Sequence, residues 1–329
     1  MIICYNDEEF ITKVKMMADK KLYFAPLEGI TTYMYRNIHN EMFGGCDAYY
    51  APFITPSDNE KIGRKGFRDV LPENNKGVNL KLQVLTNNAG SFLKFVDRIK
   101  EDGHNEININ LGCPSGTVTG KGRGSGFLKS PEALDTFFEN IFRKTDVTVT
   151  VKTRLGFTEP SEMENLIKIY NKYPISELTV HPRTRADFYK GALHMDAFDK
   201  VYEASKNPLC YNGDIRTKED YSRICSDYPN LQSVMIGRGA IINPAIFREI
   251  NGGKSITTTE LLDFSKKLAE SYNDHLDAPV FTLHKMKEVW IFMMENYPEE
   301  TKILKAVRKA NKLHELMGAV ENLPEIKDQ

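Results

Sequence analysis

Short apolar runs, several of them rich in β-branched residues, alternate with longer segments of helical period along the first 240 or so residues. Eight such runs begin 25 to 41 residues apart. This is the length of one strand, one crossover helix and two loops, which is typical of parallel βα units. The predicted strands are residues 22–25, 48–50, 80–85, 106–111, 147–152, 177–181, 208–212 and 233–236.

Eight consecutive βα units predict an α/β fold, namely a closed (β/α)8 TIM barrel built from residues 21–250. Such barrels are usually about 250 residues long, which agrees with this span. An open, doubly wound sheet is the alternative. Residues 1–20 would form an N-terminal extension.

After Pro244 the strand-like runs stop, and the rest of the chain has helical character. Thr257 and Glu260 have the spacing of a capping box that begins a helix. A later helix is predicted from Pro298 to about Gly318, since proline suits a first helical turn and glycine a helix end. We therefore expect residues 255–329 to form a small helical bundle.

The last predicted helix carries a stripe of lysines at positions i, i+3, i+7 and i+10, which are Lys302, Lys305, Lys309 and Lys312. This spacing places them on one helix face. Two interpretations remain open: an ordinary solvated face, or a face that contacts phosphates.

The 44 basic and 45 acidic residues give a net charge of −1, which excludes a strongly basic arm or an acidic tail. A hydrophobic fraction of 41% and a charged fraction of 27% are typical of globular proteins. The N-terminus lacks the charged and apolar regions of a signal peptide, and no apolar run is long enough to span a bilayer. We expect a soluble cytoplasmic protein.

The five cysteines are scattered, without a CxxC pair or a Cys/His cluster. The sequence therefore predicts neither a disulfide framework nor a metal site.

Polar or glycine-containing segments follow most of the predicted strands. In a TIM barrel the reactive groups lie at the carboxyl ends of the strands, so these residues should meet at one rim. They are Ala25, Pro26 and Leu27 after strand one, Gln83 on strand three, Asn110 and Cys113 at strand four, Lys152 and Arg154 at strand five, His181, Arg183 and Arg185 at strand six, Asn212, Gly213 and Asp214 at strand seven, and Gly237, Arg238 and Gly239 at strand eight.

The last two loops indicate a phosphate site. Gly213, Gly237 and Gly239 allow backbone N–H groups to approach an anion, and Arg238 can add a charged fork. Loops after strands seven and eight often bind phosphate in TIM barrels. The alternative is that these glycines only form tight turns.

Lys152 ends an alternating strand, so its side chain should face the barrel mouth. A cation there could stabilise an anionic reduced flavin or an enolate, or form the Schiff base of an aldolase. Gln83, His181 and Asn212 offer neutral donors and acceptors that suit an isoalloxazine or pyrimidine edge. His181 could also be purely structural.

Cys113 is held in a loop between Gly112 and Pro114, unlike the other cysteines. We expect a chemical role for it, with a buried inert thiol as the alternative. The glycine-rich segment 120–126, which includes Lys121 and Arg123, is expected to be a mobile lid; a flexible connector is the alternative.

These motifs, in this order, resemble those of the tRNA-dihydrouridine synthases of the bacterial type. The resemblance covers the whole barrel, while the C-terminal part matches only in position and helical character. The segments that carry it are Asn110-Leu-Gly-Cys-Pro-Ser, Val151-Lys-Thr-Arg, His181-Pro-Arg-Thr-Arg, Asn212-Gly-Asp-Ile and Gly237-Arg-Gly-Ala.

The resemblance implies that FMN, reduced by NADPH, reduces the uracil C5–C6 double bond in tRNA. It implies that Cys113 gives a proton to C5 while flavin N5 delivers hydride to C6. Asn110 and Arg154 would meet the uridine, Arg183 and Arg185 would face the RNA, and the helical domain would bind RNA. The implied flavin-lining residues are Ala25, Pro26, Leu27, Gln83, Lys152, His181, Asn212, Gly213, Asp214, Gly237 and Arg238.

The residues alone are compatible with two other functions. One is an FMN barrel that reduces a free pyrimidine or an enone. The other is a non-catalytic RNA-binding barrel. In every case we expect no membrane, no DNA and no obligate protein partner.

Overall fold

The computed structural model describes residues 20–56 and 67–326, so nearly all of the predicted N-terminal extension lies outside the described residues. Eight parallel strands close into a barrel in sequence order, with β8 pairing back onto β1 from Ser233 opposite Lys21 to Ile236 opposite Phe24. The predicted TIM barrel is confirmed. The strands are β1 (Lys21–Phe24), β2 (Ala48–Tyr50), β3 (Leu80–Val84), β4 (Glu106–Leu111), β5 (Thr148–Gly156), β6 (Leu178–Thr184), β7 (Leu209–Tyr211) and β8 (Ser233–Ile236).

Helices connect the strands and continue beyond the barrel. In the described ranges, none of them is both long and apolar enough to cross a membrane. They are α1 (Tyr33–Met42), α2 (Ala89–Glu101), α3 (Gly116–Thr119), α4 (Pro131–Phe142), α5 (Met163–Tyr170), α6 (Met195–Ala204), α7 (Lys218–Asp227), α8 (Arg238–Ile242), α9 (Ile246–Ile250), α10 (Thr258–His275), α11 (Pro279–Met293), α12 (Thr301–Lys309) and α13 (Leu313–Val320).

The alternation of side chains along the strands separates two apolar cores. Leu22 and Phe24 of β1 belong to the large core between strands and helices. Tyr23 and the following Ala25 belong to a small core inside the barrel. Burying a side chain such as Phe24 contributes about 2 kcal/mol to the free energy of unfolding. Because the outer core contains most of the buried apolar side chains, it supplies most of the stability. Residues inside the barrel can therefore be polar.

Strands β5 and β6 are longer than predicted. The predicted strands end at residues 152 and 181, whereas β5 runs to Gly156 and β6 to Thr184. The two strands continue to pair past Lys152, with a register shift between Arg154 and Gly156. Arg154 and Arg183 therefore lie on strands, where the pleat directs their side chains, rather than in open loops.

The helical bundle begins as predicted. Thr257 precedes α10, and its hydroxyl accepts a hydrogen bond from the backbone N–H of Glu260 at 3.1 Å. The Glu260 carboxylate in turn accepts from the N–H of Thr257 at 3.1 Å. This reciprocal pair satisfies two N–H groups that the helix leaves without partners.

The predicted helix from Pro298 to Gly318 is wrong, because the chain forms two helices there, α12 and α13. The carboxylate of Glu315 accepts hydrogen bonds from the N–H groups of Asn311 (2.8 Å) and Lys312 (3.3 Å) and so starts a new helix. Lys302, Lys305 and Lys309 remain together on α12 and are exposed, whereas Lys312 caps α13.

The bundle packs against the barrel close to its mouth. Lys285 of α11 donates a hydrogen bond to the carbonyl of Gly29 in the loop after β1, at 2.6 Å. Asn296 donates to the carbonyl of Ile242 at the end of α8, also at 2.6 Å. The bundle is thereby joined to two loops of the barrel rim.

Candidate active site

A cavity of about 510 Å³ opens at the carboxyl ends of the strands. All of the predicted site residues line it except Arg183 and Arg185. Its size lies within the range of ligand pockets. The predicted residues in its wall are Ala25, Pro26, Leu27, Gln83, Asn110, Cys113, Lys152, Arg154, His181, Asn212, Gly213, Asp214, Gly237 and Arg238.

A network of side-chain hydrogen bonds links the neighbouring strands β3, β4 and β5 at the cavity. Asn108 donates to the Thr150 hydroxyl (2.9 Å), and Gln83 donates to the amide oxygen of Asn108 (2.7 Å). Asn110 donates to the amide oxygen of Gln83 at 2.7 Å. The amide oxygens of Asn108 and Gln83 are therefore both used as acceptors, which fixes the orientation of these two amide groups. One N–H of Gln83 and one of Asn110 remain for a ligand.

Asn110 also positions the loop that carries Cys113. Its amide oxygen accepts hydrogen bonds from the backbone N–H groups of Gly112 (3.0 Å) and Cys113 (2.9 Å). Both lone pairs of this oxygen are thus occupied within the protein. Asn110 was expected to meet the uridine, but its oxygen holds the loop, and only its nitrogen can still donate to a substrate.

The Cys113 thiol faces the cavity from a tightly held loop. Its carbonyl oxygen accepts from the backbone N–H (3.1 Å) and the hydroxyl (2.7 Å) of Ser125. Burial raises the pKa of the thiol above its ordinary value. The thiol is therefore protonated near neutral pH.

The glycine-rich segment that follows Cys113 does not have the structure expected of a mobile lid. Gly124, Ser125 and Gly126 are buried, and a Cβ on Gly126 would lie 2.6 Å from the carbonyl oxygen of Thr119. These glycines allow two backbone segments to pack closely. The segment therefore packs against the Cys113 loop, since a Cβ on Gly124 would lie 2.9 Å from the carbonyl oxygen of Cys113.

Lys152 lines the cavity without a carboxylate partner among the residues that the structure describes. Within the described ranges, no carboxylate lies within ion-pair distance of its ammonium group. Burial, and next the charge of Arg154, lower the pKa of Lys152 to about 7. The lysine can therefore gain or lose its charge near neutral pH, and an anion beside it would favour the charged form.

His181 is a neutral imidazole in this site. Burial lowers its pKa well below the ordinary value, and the charges of Arg154 and Lys152 lower it further. An N–H of Arg183 lies 3.1 Å from His181 Nε2. Because a guanidinium can only donate, Nε2 accepts and Nδ1 carries the proton. His181 thus presents a single N–H donor.

A side chain that contacts RNA should face solvent, but Arg183 does not. Its side chain is buried, with only 3% of the residue exposed, and its guanidinium forms a two-point ion pair with Asp214. Asp214 also binds Arg238. Burial alone would raise the pKa of Asp214, but the hydrogen bonds and charge of Arg183 and Arg238 outweigh burial and lower it. This ion-pair network fixes His181 and the loop after β7.

Arg154 lines the cavity and is also bonded to the backbone around it. It is 1% exposed and donates to three backbone carbonyls, those of Gly112 (2.8 Å), Thr184 (2.9 Å) and Phe188 (2.6 Å). These carbonyls belong to the loop after β4, to β6 and to the loop after β6. Arg154 therefore holds the cavity wall together, and these carbonyls use three of its five N–H groups.

Arg185 lies outside the cavity on the adjacent surface. It is partly buried, and its guanidinium stacks on the rings of Phe157 and Phe188.

The loops after β7 and β8 approach each other closely. A Cβ on Gly239 would lie 2.0 Å from the carbonyl oxygen of Ile215, so only glycine fits there. The backbone N–H groups of Gly213, Asp214 and Gly237 have no hydrogen-bond partner in the described part of the chain. Arg238 lies beside them, and these groups together make a suitable site for an anion.

Sequence reasoning missed three aromatic residues of the cavity, of which Phe53 lies in the loop after β2 and the other two are Tyr189 and Phe292. The Tyr189 ring lies 5.0 Å from the Arg154 guanidinium and 5.6 Å from that of Arg238. Tyr189 is in a loop with no periodic signal. Phe292 comes from α11, more than fifty residues after the last barrel strand. No local pattern in the sequence relates either residue to the barrel mouth.

Comparison with solved structures supports the fold. An old yellow enzyme from Trypanosoma cruzi superposes with a TM-score of 0.51 at 9% identity, covering 78% of this chain and 94% of that chain. A morphinone reductase mutant in complex with tetrahydroNAD superposes with a TM-score of 0.50 at 11% identity, covering 71% of this chain and 87% of that one.

Comparison with known sequences confirms the resemblance seen in the motifs. The tRNA-dihydrouridine(16) synthase of Ralstonia nicotianae is 24% identical over 319 residues, which cover 92% of this chain and 95% of that protein. The tRNA-dihydrouridine synthase B of Vibrio vulnificus is 30% identical over 237 residues, which cover 70% of this chain and 71% of that protein. The family profile described as "Dihydrouridine synthase (Dus)" matches residues 23–327. Since that match spans nearly the whole chain, the protein belongs to the dihydrouridine synthase family.

Proposed function

We propose that this protein reduces uridine in tRNA to 5,6-dihydrouridine, with FMN as its cofactor and NADPH as the reductant. The observation that carries the proposal is the placement of a protonated thiol, Cys113, in the same cavity as Lys152 and the neutral His181. Family membership and the printed names of the relatives support the same reaction.

The residues of the cavity fit FMN. The free N–H groups of Gly213, Asp214 and Gly237, with Arg238, suit its phosphate. Lys152 and the remaining N–H of Gln83 suit an electron-rich edge of the ring system. Bound FMN would supply the hydride that reduces the uracil double bond.

Cys113 would supply the proton that completes the reduction at C5. This step needs a protonated acid, and the raised pKa of the thiol keeps the proton in place. Asn110 and Arg154 would fix the position of this loop, through the Cys113 N–H and the Gly112 carbonyl respectively. The resulting thiolate would take a new proton from water at the cavity mouth.

A uridine stacked in folded RNA must leave the stack to reach this cavity, which costs a few kcal/mol. Tyr189 offers an aromatic face at the rim for the extruded base. The exposed lysines of α12, namely Lys302, Lys305 and Lys309, would contact phosphates and help to recover this free energy. In this assignment, residues 21–250 form the catalytic barrel and residues 255–329 the RNA-binding domain.

The proposal is tested by incubating the purified full-length protein with FMN, NADPH and unmodified tRNA transcripts. We expect a yellow protein that releases FMN, and tRNA in which one or more uridines have gained two hydrogens by mass spectrometry. Omitting NADPH should abolish the product.

Two results would contradict the proposal. Equal activity on free uridine would favour an enzyme that acts on a small pyrimidine. A colourless protein that binds tRNA, and that FMN cannot reconstitute, would favour a non-catalytic RNA-binding barrel.

Lys152 should take up a proton when reduced, anionic FMN binds above neutral pH. In the flavin-free protein its pKa is about 7, so it is mostly neutral at pH 8, and a neighbouring anion raises that pKa. Anaerobic calorimetry at pH 8, in two buffers of different ionisation enthalpy, should show proton uptake for the wild-type protein. Affinity for reduced FMN should accordingly fall as pH rises above 7.

The variant Lys152→Met should show neither this proton uptake nor this pH dependence. The matched control is Lys172→Met, because Lys172 pairs with Asp135 on the outer wall of the barrel. Proton uptake that persists in Lys152→Met would assign the titration to another group.

A further inference from the structure

The loop after β6 exposes an aromatic residue in a strained conformation. Phe188 is 42% exposed and has a backbone φ of 51°, in the left-handed region that non-glycine residues seldom adopt. Neither feature helps the fold, since the ring buries little area and the backbone stores strain. Strain of this kind persists where the surrounding structure imposes it, and it concentrates at functional positions.

The surrounding structure does impose this conformation. Arg154 donates to the carbonyl oxygen of Phe188 at 2.6 Å, and the N–H of Phe188 donates to the carbonyl of Arg185 at 3.1 Å. The N–H of Arg185 donates to the carbonyl of Gly156 at the end of β5, at 2.9 Å. Phe188 is therefore displayed on a loop that follows β6 and is hydrogen-bonded to β5.

Cations and aromatic rings alternate around Phe188. The Arg185 guanidinium lies 4.9 Å from the Phe188 ring centre and 5.2 Å from that of Phe157. The Lys129 ammonium lies 4.2 Å from the Phe157 ring centre. We call these four residues, Lys129, Phe157, Arg185 and Phe188, the β6 platform.

The platform carries positive charge that the protein does not neutralise. Among residues 20–56 and 67–326, neither Lys129 nor Arg185 forms an ion pair with a carboxylate. The one acidic residue within this loop, Asp187, instead binds Thr184 and His194. Unpaired cations interleaved with aromatic faces are the combination that binds single-stranded nucleic acid, whose bases stack while its phosphates carry charge.

The platform is continuous with the active-site cavity. Tyr189, the residue after Phe188, is 50% exposed and lines the cavity rim. An RNA strand whose target base enters the cavity beside Tyr189 therefore has its neighbouring nucleotide at the platform. An apolar protein partner would be a poorer match, because it would leave the two cations unpaired.

We propose that Phe188 stacks on the base of the unpaired nucleotide next to the target uridine, while Arg185 and Lys129 face that nucleotide's phosphates. The platform thus holds the strand after the target base has left the stack. This inference rests on the proposed function.

The test compares Phe188→Leu with Phe188→Tyr in the full-length, FMN-loaded protein. Both side chains carry a Cβ, so the backbone strain is the same, but only tyrosine retains an aromatic face. For unmodified tRNA we expect Phe188→Leu to raise Kd and KM about tenfold, equivalent to about 1.4 kcal/mol, with kcat within about twofold. Phe188→Tyr should remain close to wild type.

A salt titration separates stacking from charge. Phe188→Leu should leave the slope of log Kd against log salt unchanged, whereas Arg185→Gln should reduce its magnitude by about one. The matched control is Phe142→Leu. Phe142 ends α4 at the opposite end of the barrel, where it stacks on Tyr173 at 5.5 Å, and this change should not alter tRNA binding.

The outcomes distinguish the two proposals. A wild-type protein that forms no dihydrouridine contradicts the proposed function. An active wild-type protein whose Kd for tRNA is the same in Phe188→Leu contradicts the platform alone. Equal weakening in Phe188→Leu and Phe188→Tyr would also contradict it, since the effect would then not depend on an aromatic face.

Discussion

Replacing Cys113 with alanine should lower the rate of dihydrouridine formation by about 100- to 10,000-fold, the usual contribution of a positioned general acid. The cavity that would hold FMN should be unaffected, because the loop is fixed through the backbone N–H and carbonyl of Cys113 rather than through its thiol. The appropriate measurement is a single turnover with the flavin already reduced, so that only the step on uridine is observed.

The pH profile gives a second signature of the acid. Because burial raises the pKa of the Cys113 thiol, the wild-type single-turnover rate should decline only above the ordinary titration range of cysteine. The decline should be absent from the residual activity of Cys113→Ala.

Cys225→Ala is the matched control. Its thiol is buried on α7, away from the cavity, so the rate on uridine should be unchanged. If Cys113→Ala kept its rate within tenfold of wild type, the proton would have to come from another group, such as a water molecule or the Glu28 carboxyl at the cavity rim.

The barrel and most of its rim could be predicted from the sequence because both depend on local patterns. A strand such as Glu106–Leu111 alternates polar inward and apolar outward residues, which identifies it in isolation. Once eight such strands are assigned, the topology alone brings Gln83, Lys152 and His181 to one rim. The set of reactive side chains at the strand ends can therefore be predicted without knowledge of the distances between them.

The role of each polar group could not be predicted, because it depends on partners far away in the sequence. In the sequence, Arg183 lies between the candidate residues His181 and Arg185. In the fold it is buried and forms an ion pair with Asp214. Asn110 follows the strand pattern, yet its amide oxygen accepts from the N–H of Gly112 and its amide nitrogen donates to Gln83. A lysine stripe on α12 is visible in the sequence, whereas the break that starts α13 depends on one carboxylate, that of Glu315.

These differences share a physical cause. A buried arginine or amide is stable only if nearly all of its hydrogen-bonding groups are satisfied, and backbone carbonyls can satisfy them as well as a ligand can. Sequence motifs show that such a side chain is present but not which acceptor it uses. Here residues that the motifs associate with the substrate, such as Asn110 and Arg154, also hold the loops that form the site.

Arg154 provides the strongest test of this view. Lysine at this position should reduce kcat on tRNA by about 100-fold, the effect of a misplacement of about 1 Å at a reacting group. A lysine keeps the charge but cannot reproduce the planar fork that reaches Gly112, Thr184 and Phe188 together. Carbonyls left without donors should also lower the free energy of unfolding by on the order of 3 kcal/mol.

The measurements are steady-state kinetics on tRNA, flavin content and thermal unfolding. Arg248→Lys is the matched control, because Arg248 forms a two-point ion pair with Glu260 (2.8 and 3.0 Å) away from the cavity. That variant should lose some stability but keep kcat. If Arg154→Lys instead raised KM for tRNA with kcat unchanged, Arg154 would act in binding, either on the uridine directly or through the Phe188 loop that it holds, and its bond to the Gly112 carbonyl would be incidental to catalysis.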